Sequence, residues 1–179
     1  AGGDLSEGQT TANFTAGIAT FTGVKLVGTP GVDYVLEFTN ANPSLTSTAS
    51  SAMRVVHNVA DHLDITQAAA NGRAGSRFAT QPVITVLDRY NNVVTSGPGS
   101  DALVNADAAI TAQNGTVLGS PLAISPSNAE VTAVNGVASF DSLTISGLVS
   151  NTYALTFSLD LAGINSVTQS NITISYGTF

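Results

Sequence analysis

Apolar residues recur along this chain at every second position, and no stretch sustains the spacing of a helix. Tyr34, Leu36 and Phe38 alternate with Asp33, Val35 and Glu37, the pattern of a strand with one buried face. Val24 and Leu26 alternate with Gly23 and Lys25 after a strand beginning at Ile18 to Phe21, and Ala52 to His57 reads as the closing strand. The run Pro82-Val-Ile-Thr-Val-Leu87 is the strongest strand signal, and Val93-Val94-Thr95 returns from the turn Asp88-Arg-Tyr-Asn-Asn92. Asn114-Gly115 and Asn135-Gly136 predict two hairpins, since a type I′ turn needs positive φ at both central residues. Gly28-Thr-Pro-Gly31 and Asn40-Ala-Asn-Pro-Ser44 read as turns by composition. Residues 1–12 are Gly-rich and polar and read as a loop or a weak edge segment. The expectation is an all-β fold.

The pattern is present twice. A displacement of 119 positions carries Gly17-Ile-Ala-Thr-Phe21, Gly28 and Tyr34-Val-Leu-Glu-Phe38 onto Gly136-Val-Ala-Ser-Phe140, Gly147 and Tyr153-Ala-Leu-Thr-Phe157 without a gap. Residues 13–57 and 132–176 share nine identities: Gly17, Ala19, Phe21, Gly28, Tyr34, Leu36, Phe38, Ser47 and Ser51. The apolar positions also match in kind, as in Val24/Leu143, Leu26/Ile145 and Met53/Ile172. Repeats of this sort mean arrays. The second copy is preceded by strands from Ala60 onward and the first is not, so 59–179 is expected to be a complete sandwich. Residues 1–58 are then only the C-terminal half of one, with an uncovered apolar face and two open edges. Phe21, Leu26, Tyr34, Leu36 and Phe38 are the core of that open half. They are the candidate assembly residues for completion by strands of a neighbour.

A glycine turn followed by Tyr-x-Leu-x-Phe resembles the tyrosine corner of immunoglobulin and fibronectin type III sandwiches, where the hydroxyl returns to an upstream backbone group. Tyr34 and Tyr153 are the residues concerned. The fuller pattern Val83-Ile-Thr-Val-Leu-Asp88, Asn92-Val-Val, Asn135-Gly-Val-Ala-Ser-Phe140 and Tyr153-Ala-Leu-Thr-Phe157 resembles the bacterial immunoglobulin-like repeats of large surface proteins. Those include the repeats of invasin-type adhesins and S-layer proteins. Asn91 stands where that family has Gly, and Asn also reaches the left-handed region. The resemblance implies tandem immunoglobulin-like β-sandwiches of Greek-key type, in an exported protein whose domains join end to end as a stalk, fibre or filament.

Composition narrows the function without naming a chemistry. Only 9% of residues are charged and the net charge is −7, which disfavours a nucleic-acid backbone or an anionic membrane surface as partner. No run approaches the roughly eighteen apolar residues that span a bilayer as a helix, so no membrane insertion is expected. The chain has no cysteine, which removes disulfides and thiolate chemistry. His57, Asp61, His62 and Asp64 cluster in sequence, as an interdomain metal site or, more plainly, a solvated junction. Asp88, Asn91 and Asn92, helped by Asp101 or Asp107, offer oxygen ligands for Ca²⁺, the one cofactor considered; turn-forming Asx residues explain the same letters. The single lysine, Lys25, aligns with Thr144, so it reads as an edge charge rather than an isopeptide donor. Asn13, Asn114 and Asn171 each begin an N-glycosylation sequon. Tyr90, the only aromatic in a predicted loop tip, is the candidate ligand contact of an alternative function, an adhesin module that binds a glycan or host protein. No catalytic constellation is present, so an enzyme is not expected. The first expectation is a structural, extracellular repeat that associates with identical subunits or adjacent repeats.

Overall fold

The computed structural model describes residues 4–42, 44–70, 72–112, 123–125 and 129–176. The fold is all-β, with no helix among the described residues. Contacts divide the chain into two compact units, Ala1–His57 and Asn58–Phe179. Unit 1 holds β1 (Asp4–Glu7), β2 (Phe14–Thr15), β3 (Ile18–Ala19), β4 (Lys25–Val27), β5 (Asp33–Tyr34), β6 (Glu37–Phe38), β7 (Thr48–Ala49) and β8 (Met53–Arg54). They pair antiparallel as β1 with β4, β2 with β3, β5 with β8 and β6 with β7.

Unit 1 refines the pattern-based reading in three places. Residues 4–7, from the stretch read as a loop or a weak edge segment, form a short strand on β4, and so cover the edge that Lys25 was expected to guard. A tight turn at Ala16-Gly17, with φ of 51° and 80°, closes β2 onto β3. Its letters do not announce it, because Ala is a poor residue for the left-handed region. The single strand expected over residues 33–38 is broken at Leu36. Its N–H donates to the Ser50 hydroxyl at 3.0 Å, where a ladder would use a carbonyl.

Unit 2 holds β9 (Ala60–Gln67), β10 (Gly72–Arg73), β11 (Val83–Asp88), β12 (Leu103–Ala112), β13 (Ala123–Ser125), β14 (Ala129–Thr132), β15 (Val137–Ser139), β16 (Thr144–Ser146), β17 (Thr152–Leu159), β18 (Val167–Ile172) and β19 (Ile174–Ser175). One sheet runs β15-β11-β9 and the other β14-β12-β17-β18; β13 pairs with β16, and β19 lies parallel to β10. Leu63, Ile84, Val86 and Ala138 from the first sheet meet Val104, Ala106, Leu155 and Phe157 from the second in one buried cluster. That makes unit 2 a β-sandwich, and each large side chain buried there stabilises it by about 1.5–3 kcal/mol. Asn135 and Gly136 take φ of 51° and 78°, and Val134 and Val137 exchange backbone hydrogen bonds. The turn is of the expected kind, but it makes no hairpin within one sheet. It passes the chain from β14 in the four-stranded sheet to β15 in the three-stranded one. The hairpin expected at Asn114-Gly115 lies outside the described residues.

The two units share a register. Leu5 pairs with Leu26 as Ile124 pairs with Ile145. Tyr34 pairs with Met53 as Tyr153 with Ile172, Glu37 with Ala49 as Thr156 with Thr168, and Phe38 with Thr48 as Phe157 with Val167. Every one of these residues is displaced by the same 119 positions, so the repeat reaches back to β1, beyond the identities read from sequence. Among its described residues, unit 1 contains nothing equivalent to β9, β11 or β12. The consequence shows in burial: among the described residues of unit 1, none is buried.

Candidate functional site

The most distinctive surface is the inner face of unit 1. Leu5, Phe21, Val24, Leu26, Tyr34, Leu36 and Phe38 line an open groove of about 740 Å³, together with polar residues that include Gln9, Thr10 and Glu37. The structure thus brings together all five assembly candidates. Phe21 and Phe38 stack with ring centroids 5.5 Å apart and tilted by 49°; Phe140 and Phe157, their equivalents, stack at 5.5 Å and 52°. The exposures differ. Phe21 and Phe38 are 36% and 37% exposed, and Phe140 and Phe157 are 6% and 0% exposed. One aromatic pair has the same geometry in both units and lies open in one of them.

Each unit anchors its tyrosine to the residue five positions upstream. The Tyr153 hydroxyl donates to the Leu148 carbonyl at 2.7 Å, and the Tyr34 hydroxyl accepts the Thr29 N–H at 2.8 Å. A glycine makes room in both cases. A Cβ on Gly28 would lie 2.6 Å from the Tyr34 ring, and one on Gly147 would lie 2.3 Å from the Tyr153 hydroxyl. Burial raises the Tyr153 pKa above its ordinary value.

Asp88, at the end of β11, is fully buried and its carboxylate is saturated by N–H donors. One oxygen accepts the Tyr90 and Asn92 N–H groups, both at 2.9 Å, and the other accepts the Asn58 N–H at 2.8 Å and the Asn92 amide at 3.2 Å. Burial alone raises its pKa, but hydrogen bonds from Asn58, Asn92 and Tyr90 outweigh it and hold the carboxyl below its ordinary 3.8. Asn91 takes φ of 62° to let the turn close. Asp88 therefore organises a turn and pins the first residue of unit 2, and it offers no free lone pair to Ca²⁺. Asp107 cannot help, since it sits mid-strand in the other sheet, paired with Thr156. Tyr90 is committed as well: its hydroxyl accepts from Arg89, whose guanidinium lies 4.7 Å above the ring.

The remaining candidates do not converge. His62 Nδ1 lies 3.0 Å from Asp61 Oδ2. His62, Asp64 and Thr66 face one way from β9 and line a shallow concavity with Thr85, Leu87 and Val137. His57 belongs to the other unit. No group of three or more metal-ligating acidic, His or Cys side chains occurs among the described residues. Lys25 is half-buried on β4, Asn13 and Asn171 are exposed, and Asn114 lies outside the described residues.

No family model and no curated protein matches the chain. Among solved structures it is similar to a crystal structure of a beta-glycosidase from Bacteroides vulgatus, at 11% identity and a TM-score of 0.45. The match covers 96% of this chain and 21% of that one, so the chain spans about a fifth of its length. At that identity and TM-score neither fold nor activity transfers.

Proposed function

We propose that this chain is a structural repeat of an exported, cell-surface stalk or fibre, built from tandem immunoglobulin-like sandwiches and working by packing rather than catalysis. The observation that carries this reading is the duplicated C-terminal half, in one register, covered in unit 2 and open in unit 1. Such a half is a joining element: it gains a buried core when strands from another half close over it. The adhesin reading is weaker, because the hydroxyl and one ring face of Tyr90 are taken by Arg89.

Single-molecule extension tests the proposal. Unit 2 comprises residues 58–179 and should rupture in one force peak, releasing roughly 400 Å of chain at about 3.4 Å per residue. Extension at low force without a peak would remove the stalk reading.

A further inference from the structure

We infer that the groove of unit 1 is the seat of a half-sandwich built like residues 58–112 of this chain, joined on the N-terminal side of β1. A strand like β11 would lie along β3, and a strand like β12 along β5 and β6. The inference rests on the stalk reading and names its partner.

The occupant follows from an interface that the chain already contains. In unit 2, β11 pairs with β15 through Val83, Ile84 and Thr85, and β12 pairs with β17 along its length. β3 is the counterpart of β15, and β5 with β6 the counterpart of β17, at the common displacement of 119. Leu155 and Phe157, fully buried against the covering half, correspond to Leu36 and Phe38, which line the open groove. Unit 1 therefore presents one surface of an established interface with its other surface missing.

A second copy of residues 1–179 would have to lend a cover that is in use. Among the described residues there are two C-terminal halves and one covering half, and that covering half is already engaged in unit 2. Lending it would uncover a core of the same kind. In unit 2 the covering half runs along the chain directly toward β13, the counterpart of β1, and a cover joined ahead of β1 repeats that connection.

Charge makes the partner more specific. Asp107 of β12 lies opposite Thr156, whose counterpart in unit 1 is Glu37. An acid there would face an acid directly across the ladder, which destabilises a pair. The covering strand therefore carries a neutral or basic residue opposite Glu37.

The test is a chain in which residues 58–122 are duplicated ahead of Asp4, the added copy bearing Asp107→Lys. Amide exchange is then followed by mass spectrometry at β3, β5 and β6. Protection there should rise at least about 100-fold over the 1–179 chain, and rise less when the added copy keeps its Asp. An added copy bearing Val86→Asp, which cannot pack, should give no gain. Should the longer chain fail to fold, a peptide of residues 101–112 bearing Asp107→Lys, added to 1–179, should slow exchange at β5 and β6. Unchanged exchange in the folded longer chain, or with millimolar peptide, overturns the inference. So does a 1–179 dimer in sedimentation with β3 and β6 already protected, since a second copy would then be the cover. The force measurement on unit 2 stands apart from these outcomes, so the two proposals fail separately.

Discussion

Among single residues, Asp88 has the clearest consequence. Its carboxyl is held below 3.8 in the folded state, so the unfolded chain takes up the proton first. Its stabilisation is therefore full above about pH 4 and is lost as pH falls through the folded-state value. Asp88→Asn should cost unit 2 about 2–3 kcal/mol at pH 7, since one amide cannot accept from four donors as a carboxylate does. It should also flatten the acid limb of stability against pH, measured by urea unfolding between pH 2 and 7; a variant that keeps the wild-type limb would sink this account. Ala16 offers the opposite change. It holds φ of 51°, the value of Asn135 in the equivalent turn, and Asn tolerates that region better than Ala. Ala16→Asn should stabilise the β2–β3 turn by about 0.5–1 kcal/mol, read as slower amide exchange at Thr15 and Ile18. The acceptor role of Asp88 is hidden in sequence because turn-forming and metal-binding Asp residues look alike. Only the four N–H donors around it separate the two.

Strands are legible in the sequence where apolar residues alternate along one face and illegible where they do not. β11 and β17 follow from Val83-Ile-Thr-Val-Leu87 and Tyr153-Ala-Leu-Thr-Phe157, because packing on a core enforces the period of two. β1 gives no such signal, because Asp4-Leu-Ser-Glu7 has one apolar residue; its place is fixed by the partner β4 and not by its own pattern. The division of the 33–38 strand is equally hidden. It depends on Ser50, which bonds back to Leu36, where Gln169 of unit 2 reaches Ala69 with both ends of its amide at 2.8 Å. The aromatic pairs test what a missing layer costs. Phe140→Ala should destabilise unit 2 by about 3–5 kcal/mol, as truncation of a buried Phe does. Phe21→Ala removes the same ring from an open face and should cost unit 1 about 1 kcal/mol or less. Equal losses, measured by urea titration with exchange readout, would mean that the groove is closed in solution.

For the whole molecule, the repeat, the all-β class and the five groove residues are all readable from the order of apolar and polar positions. The cover inferred for the groove is not, because the described strands of unit 1 repeat only the C-terminal half of unit 2. The units should accordingly differ in cooperativity. Unit 2 owns the entire buried core among the described residues, and the apolar area exposed on unfolding sets both stability and denaturant dependence. Urea should therefore produce two transitions: an early, shallow one at β3 to β6, and a late, steep one at β11, β12 and β17. Leu155→Asp places a charge in the centre of that core and should abolish the late transition, a loss above about 4 kcal/mol. Leu36→Asp is the same change at the equivalent position, on a half-exposed side chain, and should leave the late transition within about 0.5 kcal/mol of wild type. Both variants can be followed by amide exchange at Phe38 and Phe157, which report on one unit each. A single sharp transition, shifted equally by the two substitutions, would show that unit 1 shares a core with unit 2 and that its groove has no need of another partner.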